Sequence, residues 1–177
     1  IRLVGVRHEQ AAAYAADGYA RATGRPGVAI TTTGPGAANT LGAVGEAWAS
    51  RSPILVIATD IPTTLRREGE YRGVLHETPG QADMFRPVTD AVHVCGAVGP
   101  TVTDAIDDVL LGSGPVYLEI PTDLLGAPSE PADPAEPAVA TIAQDFREES
   151  ERPLLWVGGG ARDHREKVIA LAEALDA

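Results

Sequence analysis

Hydrophobic and polar positions alternate along the chain between two periods, and each change of period marks an element. Leu3-Val4-Gly5-Val6 is a short apolar run that reads as a strand ending at Arg7. Gln10 to Ala22 carries alanines and tyrosines at helical spacing, with Gly24 as the stop signal after Thr23. Val28 to Thr32 is β-branched and bounded by Gly27 and Gly34, which predicts a strand. Leu41, Val44 and Trp48 recur every three or four residues in a helix expected over Ala37 to Ala49. Ile54 to Ala58 is continuously apolar, as in a strand covered on both faces.

The pattern breaks between Thr59 and Pro87, a polar stretch with little periodicity. Irregular segments of that length in compact domains are usually functional or contain short elements. Regularity returns with a strand at Ala91 to Cys95, an amphipathic helix at Thr101 to Leu111, a strand at Val116 to Ile120 and a helical turn from Pro121. Repeated strand–helix units predict an α/β fold with a doubly wound parallel sheet. Pro128, Pro131, Pro134 and Pro137 then punctuate an acidic, alanine-rich segment that cannot sustain a helix or a central strand. Residues 1–126 are therefore read as one α/β domain and 127–151 as a linker. Residues 152–177 are read as the first strand–helix unit of a second domain, with Leu154 to Val157 the strand and Glu166 to Leu175 the helix. A domain that opens inside a strand and a unit that stops so soon suggest a piece of something longer.

Charge and cysteine content narrow the class. A net charge of −11 argues against nucleic acid and anionic membranes as partners. The basic residues Arg66, Arg67 and Arg72 are interrupted by Glu68 and Glu70. The one cysteine, Cys95, excludes an internal disulfide and lies in an apolar run, where a buried structural thiol is expected. No segment has the length and apolarity of a membrane span and no signal peptide opens the sequence, so a soluble cytoplasmic protein is expected.

Glu9 falls at the end of the first predicted strand and in the first turn of the helix that follows. A carboxylate there complements the helix macrodipole. It can equally face a ligand, since ligands of open α/β sheets gather at the carboxyl ends of strands. Position alone leaves both readings open. Thr33-Gly34-Pro35-Gly36-Ala37-Ala38-Asn39 also follows a strand and opens a helix. It matches the dinucleotide fingerprint in all but its last place, with Asp60 near the position of a ribose-binding acid. An NAD(P)-binding Rossmann domain built on Gly34, Gly36 and Asp60 is the rival this raises, and Asn39, standing where the fingerprint needs glycine, speaks against it. Gly158-Gly159-Gly160 is a weaker candidate of the same kind, and any tight turn between strand and helix uses such glycines.

Four stretches decide between these readings: Arg7-His8-Glu9-Gln10 with Asp17-Gly18-Tyr19-Ala20-Arg21; Thr33-Gly34-Pro35-Gly36 with Asn39; Ser52 to Ile57; and Gly114 to Asp123. In that order they resemble the pyrimidine-binding domain of thiamine-diphosphate-dependent enzymes of the acetolactate synthase and 2-oxo-acid decarboxylase type. The resemblance runs from Leu3 to about Leu125, and the unit from Pro153 is similar to the start of that family's central, Rossmann-like domain, which binds FAD in some members.

The resemblance implies a set of roles. Glu9 is the glutamate that hydrogen-bonds N1′ of the aminopyrimidine and favours its imino tautomer, with a pKa raised by burial against the ring. Gly34, Pro35, Gly36 and Asn39 shape the wall beside the ring through backbone contacts. His76, in Leu75-His76-Glu77, lies where carboligases of the family carry a Phe-Gln pair and pyruvate-type decarboxylases a His-His pair. It becomes an acid/base group or a substrate contact. His8 has only a structural part. Thiamine diphosphate and Mg²⁺ are the implied cofactors, held mainly by a Gly-Asp-Gly-bearing domain not found in this sequence, so that the chain alone is expected to be inactive. The implied partners are a small 2-oxo acid and further copies of the chain, as a dimer or tetramer. A non-catalytic binding module is the remaining alternative.

Overall fold

The computed structural model describes residues 2–112, 114–129 and 154–177. The chain divides into two units, residues 1–136 and 137–177. The first is a four-stranded, wholly parallel sheet in the order β1-β2-β4-β3, formed by β1 (Gly27–Thr31), β2 (Ile54–Asp60), β3 (Ala91–Val94) and β4 (Val116–Pro121). Its registers pair Gly27 with Ile54, Leu55 with Val116, and Ala91 with Val116.

Alternation along the strands sorts two cores. Ile54, Val56, Ala58 and Tyr117 face α1 (Glu9–Thr23) and α3 (Leu41–Ala49). Leu55, Val116, Leu118 and Ile120 face α4 (Val98–Leu111) on the opposite side. α1 presents Ala13, Ala16 and Ala20 to the sheet, and such small side chains let helix and strand backbones approach closely. The helix begins where His8 Nδ1 accepts from the Gln10 N–H at 3.2 Å and ends at Gly24, left-handed with φ 69°, whose N–H bonds Ala20 O. Buried Asp17 takes Arg21 Nε at 2.9 Å, and Arg21 reaches Glu46 on α3 at 3.1 Å.

Four of the five predicted strands of this unit form; the one expected at Leu3 to Val6 does not. That run has no regular structure and Leu3 and Val4 are 79% and 74% exposed, because no strand among the described residues pairs with it and an isolated extended segment leaves its backbone groups to water. The helix expected over Ala37 to Ala49 is divided at Asn39 and Thr40 into α2 (Pro35–Ala38) and α3. Thr40 closes the break by bonding Ala37 O through both its N–H and its hydroxyl.

The irregular stretch contains four single 3₁₀ turns, at Thr63–Leu65, Val74–His76, Ala82–Met84 and Arg86–Val88. Turns of this length leave no periodic trace in a sequence. They are anchored by Phe85, which is fully buried and stacks on Tyr117 with centroids 3.8 Å apart and planes 9° apart.

In the second unit, Gly159–His164 is a 3₁₀ segment and α5 (Arg165–Leu175) matches the expected helix. The strand expected at Leu154 to Val157 is absent: Leu154 and Trp156 are 86% and 92% exposed, and no described strand lies beside them to complete a ladder. Of the linker expected at 127–151, residues 130–151 lie outside the described residues. Among the described residues no helix is long and apolar enough to cross a membrane.

Candidate functional site

The first residue of α1 and the turn after β1 meet at one point. Asn39, the C-cap of α2, donates from Nδ2 to Glu9 Oε2 at 3.0 Å across thirty positions of sequence. Glu9 is half-buried, and its own backbone N–H, followed by the Asn39 amide, holds its carboxyl below the usual carboxylate range. The rise expected from burial against the ring belongs to the cofactor-bound site; this direction is that of the chain by itself. The hydrogen bonds of Glu9 favour the anion and outweigh the opposing effect of burial.

Gly34 caps the other end of α2 with φ 60°, a conformation that favours glycine. A Cβ there would stand 2.5 Å from His76 O and 2.9 Å from His76 Cβ, so the turn carrying His76 packs directly on Gly34. His76 is exposed and has a positive φ of 67°. Pro35 opens α2 at the position where a missing N–H costs nothing. Gly36 is buried, and a Cβ on it would meet Thr32 Cγ2 at 2.5 Å and Thr31 Oγ1 at 3.1 Å. Thr31 Oγ1 is itself the one buried side-chain polar atom among the described residues with no hydrogen-bond partner. All six predicted site residues thus cluster about one turn: Glu9 with Asn39 at one end of α2, and Gly34 with His76 at the other.

A second polar cluster lies beneath this turn, at the carboxyl ends of β2 and β4. Gln81, 2% exposed, accepts the Gly34 N–H at 2.5 Å through Oε1. Its Nε2 lies within hydrogen-bond distance of Thr59 O (3.1 Å), Tyr117 Oη (3.0 Å) and Glu119 Oε2 (2.9 Å). Tyr117 donates to Glu119 at 3.1 Å, and the Arg66 guanidinium bridges Asp60 and Glu119. Asp60 also accepts the Ile61 N–H at 2.8 Å. Burial, then the Glu119 charge, pushes the Tyr117 pKa up. Burial, then the Asp60 charge, pushes Glu119 up against the opposing hydrogen bonds from Gln81 and Tyr117 and the Arg66 charge. Asp60, Arg66, Gln81 and Glu119 also line an open cleft of about 520 Å³.

This cluster removes the dinucleotide reading. Asp60 is buried and committed to Arg66 and Ile61, and the Gly34 N–H that a pyrophosphate would need is already given to Gln81. α2, only four residues long, offers little helix dipole. The sequence held one clue to the cluster: Glu119 is a lone acid in an otherwise apolar run, and a buried charge is more informative than a buried leucine. Gln81 had no such signal.

Glu119 also sets a pH dependence. Its folded pKa lies above its ordinary value, so the folded chain holds that proton more tightly than the unfolded one. The resulting stabilisation is complete below the ordinary value and is lost as pH rises through the folded one. Melts of the wild type and Glu119→Gln between about pH 4 and pH 8 are expected to show the wild type losing ground to the variant as pH rises. A difference constant with pH would contradict it.

Residues 1–84 match the family described as thiamine pyrophosphate enzyme, N-terminal TPP binding domain. Those residues belong to that family. A probable 2-ketoarginine decarboxylase of Pseudomonas aeruginosa is 36% identical over 192 aligned residues, covering all of this chain and 34% of that protein. A 2-hydroxyacyl-CoA lyase 2 of Mus musculus is 38% identical over 71% of this chain and 20% of its own length. A probable acetolactate synthase large subunit of Methanocaldococcus jannaschii is 30% identical over 94% of this chain and 31% of its own length. The chain therefore spans about a third or less of the length of these relatives, and it carries the thiamine-binding domain on an α/β parallel sheet.

Proposed function

We propose that this chain supplies the pyrimidine side of a thiamine-diphosphate site in an enzyme that decarboxylates or ligates 2-oxo acids. The observation that carries the reading is the contact of Asn39 with Glu9, which fixes a carboxylate at the head of α1 beside a glycine turn. The chain's groups fit the aminopyrimidine. Glu9 is accessible and anionic, and a carboxylate with two partners keeps acceptor capacity for a third. Gly34 and Gly36 keep the neighbouring surface free of side chains, and the orphaned Thr31 hydroxyl lies under the same turn.

Thiamine diphosphate, when bound, supplies the electron sink for breaking the bond beside the substrate carbonyl. Glu9 shares a proton with N1′ of the ring, and Asn39 holds the carboxylate in place and keeps it ionised. Gly34, Pro35, Gly36 and Asn39 form the wall beside the ring. His76, packed on Gly34, is the acid/base group or substrate contact nearest the turn. No Gly-Asp-Gly occurs in the sequence, so the reading assigns Mg²⁺ and the diphosphate to another part of the protein, contributed by a neighbouring copy in a dimer or tetramer. Residues 1–126 act as the pyrimidine-binding domain, and residues 152–177 begin a central one.

Titration calorimetry on the full-length protein separates this reading from the dinucleotide one. Thiamine diphosphate with Mg²⁺ is expected to bind and NAD or NADP not to bind. Tight NAD binding abolished by Asp60→Asn, with no binding of thiamine diphosphate, would overturn it.

A further inference from the structure

We infer that Gln81 is a positioning residue of the thiamine-diphosphate site, acting through the Gly34 peptide to hold Asn39 against Glu9. The inference rests on the function proposed above and assigns a role to a residue outside the predicted set.

The amide orientation follows from the chemistry of its neighbours. Thr59 O and the Glu119 carboxylate can only accept, and Tyr117 gives its proton to Glu119, so Nε2 must face all three. Oε1 is left for the Gly34 N–H, whose proton no other contact of the amide takes. The side chain is 2% exposed, so water cannot take over this acceptor role. α2 has one turn, capped by Gly34 at its start and Asn39 at its end. Rotation of the Gly34 peptide therefore swings Asn39, whose Nδ2 is 3.0 Å from Glu9 Oε2. The link runs from β4 through Gln81 and α2 to the head of α1, and Gln81 is its one side chain from the irregular stretch.

The test measures the dissociation constant of thiamine diphosphate with Mg²⁺, beside a thermal melt, for full-length wild type, Gln81→Leu, Gln81→Glu and Tyr117→Phe. Gln81→Leu leaves the buried Gly34 N–H without an acceptor, and affinity is expected to fall about ten- to hundredfold. Tyr117→Phe removes a hydroxyl from the same network but leaves Gly34 its acceptor, so melting temperature falls while affinity stays at the wild-type value. In Gln81→Glu the protonated side chain can both accept from Gly34 and donate to Glu119, whereas the ionised one repels Glu119. Its affinity relative to wild type should therefore recover as pH is lowered, a change that a merely structural role would not produce. Should Gln81→Leu fail to fold, the pH profile of Gln81→Glu decides. Wild-type affinity in both Gln81 variants, or an equal loss in Tyr117→Phe, would overturn the inference. A wild type that does not bind thiamine diphosphate would instead overturn the function on which it rests.

Discussion

Gly27→Ala is expected to slow turnover of the full-length enzyme about a hundredfold and to destabilise it by about 1–3 kcal/mol, although Gly27 touches none of the site residues. Gly27 opens β1, and α1 lies so close above it that a Cβ would stand 2.1 Å from Ala16 O, 2.6 Å from Ala16 C and 2.8 Å from Ala16 Cα. All three are backbone atoms, so no rotamer change makes room and the helix itself must move. Glu9 is on that helix, about two turns from Ala16. Asn39 is on the other side of the contact and stays with the sheet, so the 3.0 Å bond between them is pulled apart. Displacing a catalytic group by about 1 Å is enough for a loss of that size. Gly18→Ala on the same helix is the control. A Cβ there meets nothing within 4 Å, and alanine in a helix interior should stabilise by about 0.5–1 kcal/mol. Denaturant titrations and turnover of both variants check the pair. Wild-type turnover and stability in Gly27→Ala would show that α1 is not seated as described.

Where a helix or strand carries its own signal, the fold was legible in the sequence. α1 could be bounded by its alanine periodicity and Gly24, β2 by the continuous apolar run Ile54 to Ala58, and β4 by an apolar run interrupted only at Glu119, because burial on both faces dictates composition directly. Leu3 to Val6 and Leu154 to Val157 have strand composition but no strand conformation. A strand is a property of a pair, and a single segment cannot report whether its neighbour is present. The residues proposed for the site could be named from the sequence. Glu9, Gly34, Pro35, Gly36, Asn39 and His76 were all nameable beforehand, yet the pairing of Glu9 with Asn39 and of Gly34 with His76 depends on the crossing of distant segments. The Asn39 amide that helps to hold the Glu9 carboxyl below its usual range in the chain by itself is likewise a donor supplied by the fold. Gln81 was out of reach altogether. It lies among single 3₁₀ turns that leave no period, and only the buried contacts of its amide distinguish it.

Glu9→Gln tests the central claim most directly. Glutamine keeps the size of the side chain and can still take the Asn39 amide through its carbonyl oxygen, but it carries no charge and cannot share a proton with the ring nitrogen. Losing a positioned proton transfer costs about a hundredfold to ten-thousandfold in rate. If Glu9 only complemented the dipole of α1, the change would cost less than about 1 kcal/mol of stability and leave catalysis intact. The measurement is turnover of a 2-oxo acid by the full-length protein with thiamine diphosphate and Mg²⁺, beside a thermal melt, for wild type and variant. The account predicts a folded variant whose rate has fallen by at least about a hundredfold; an unchanged rate with a slightly lowered melting temperature would contradict it.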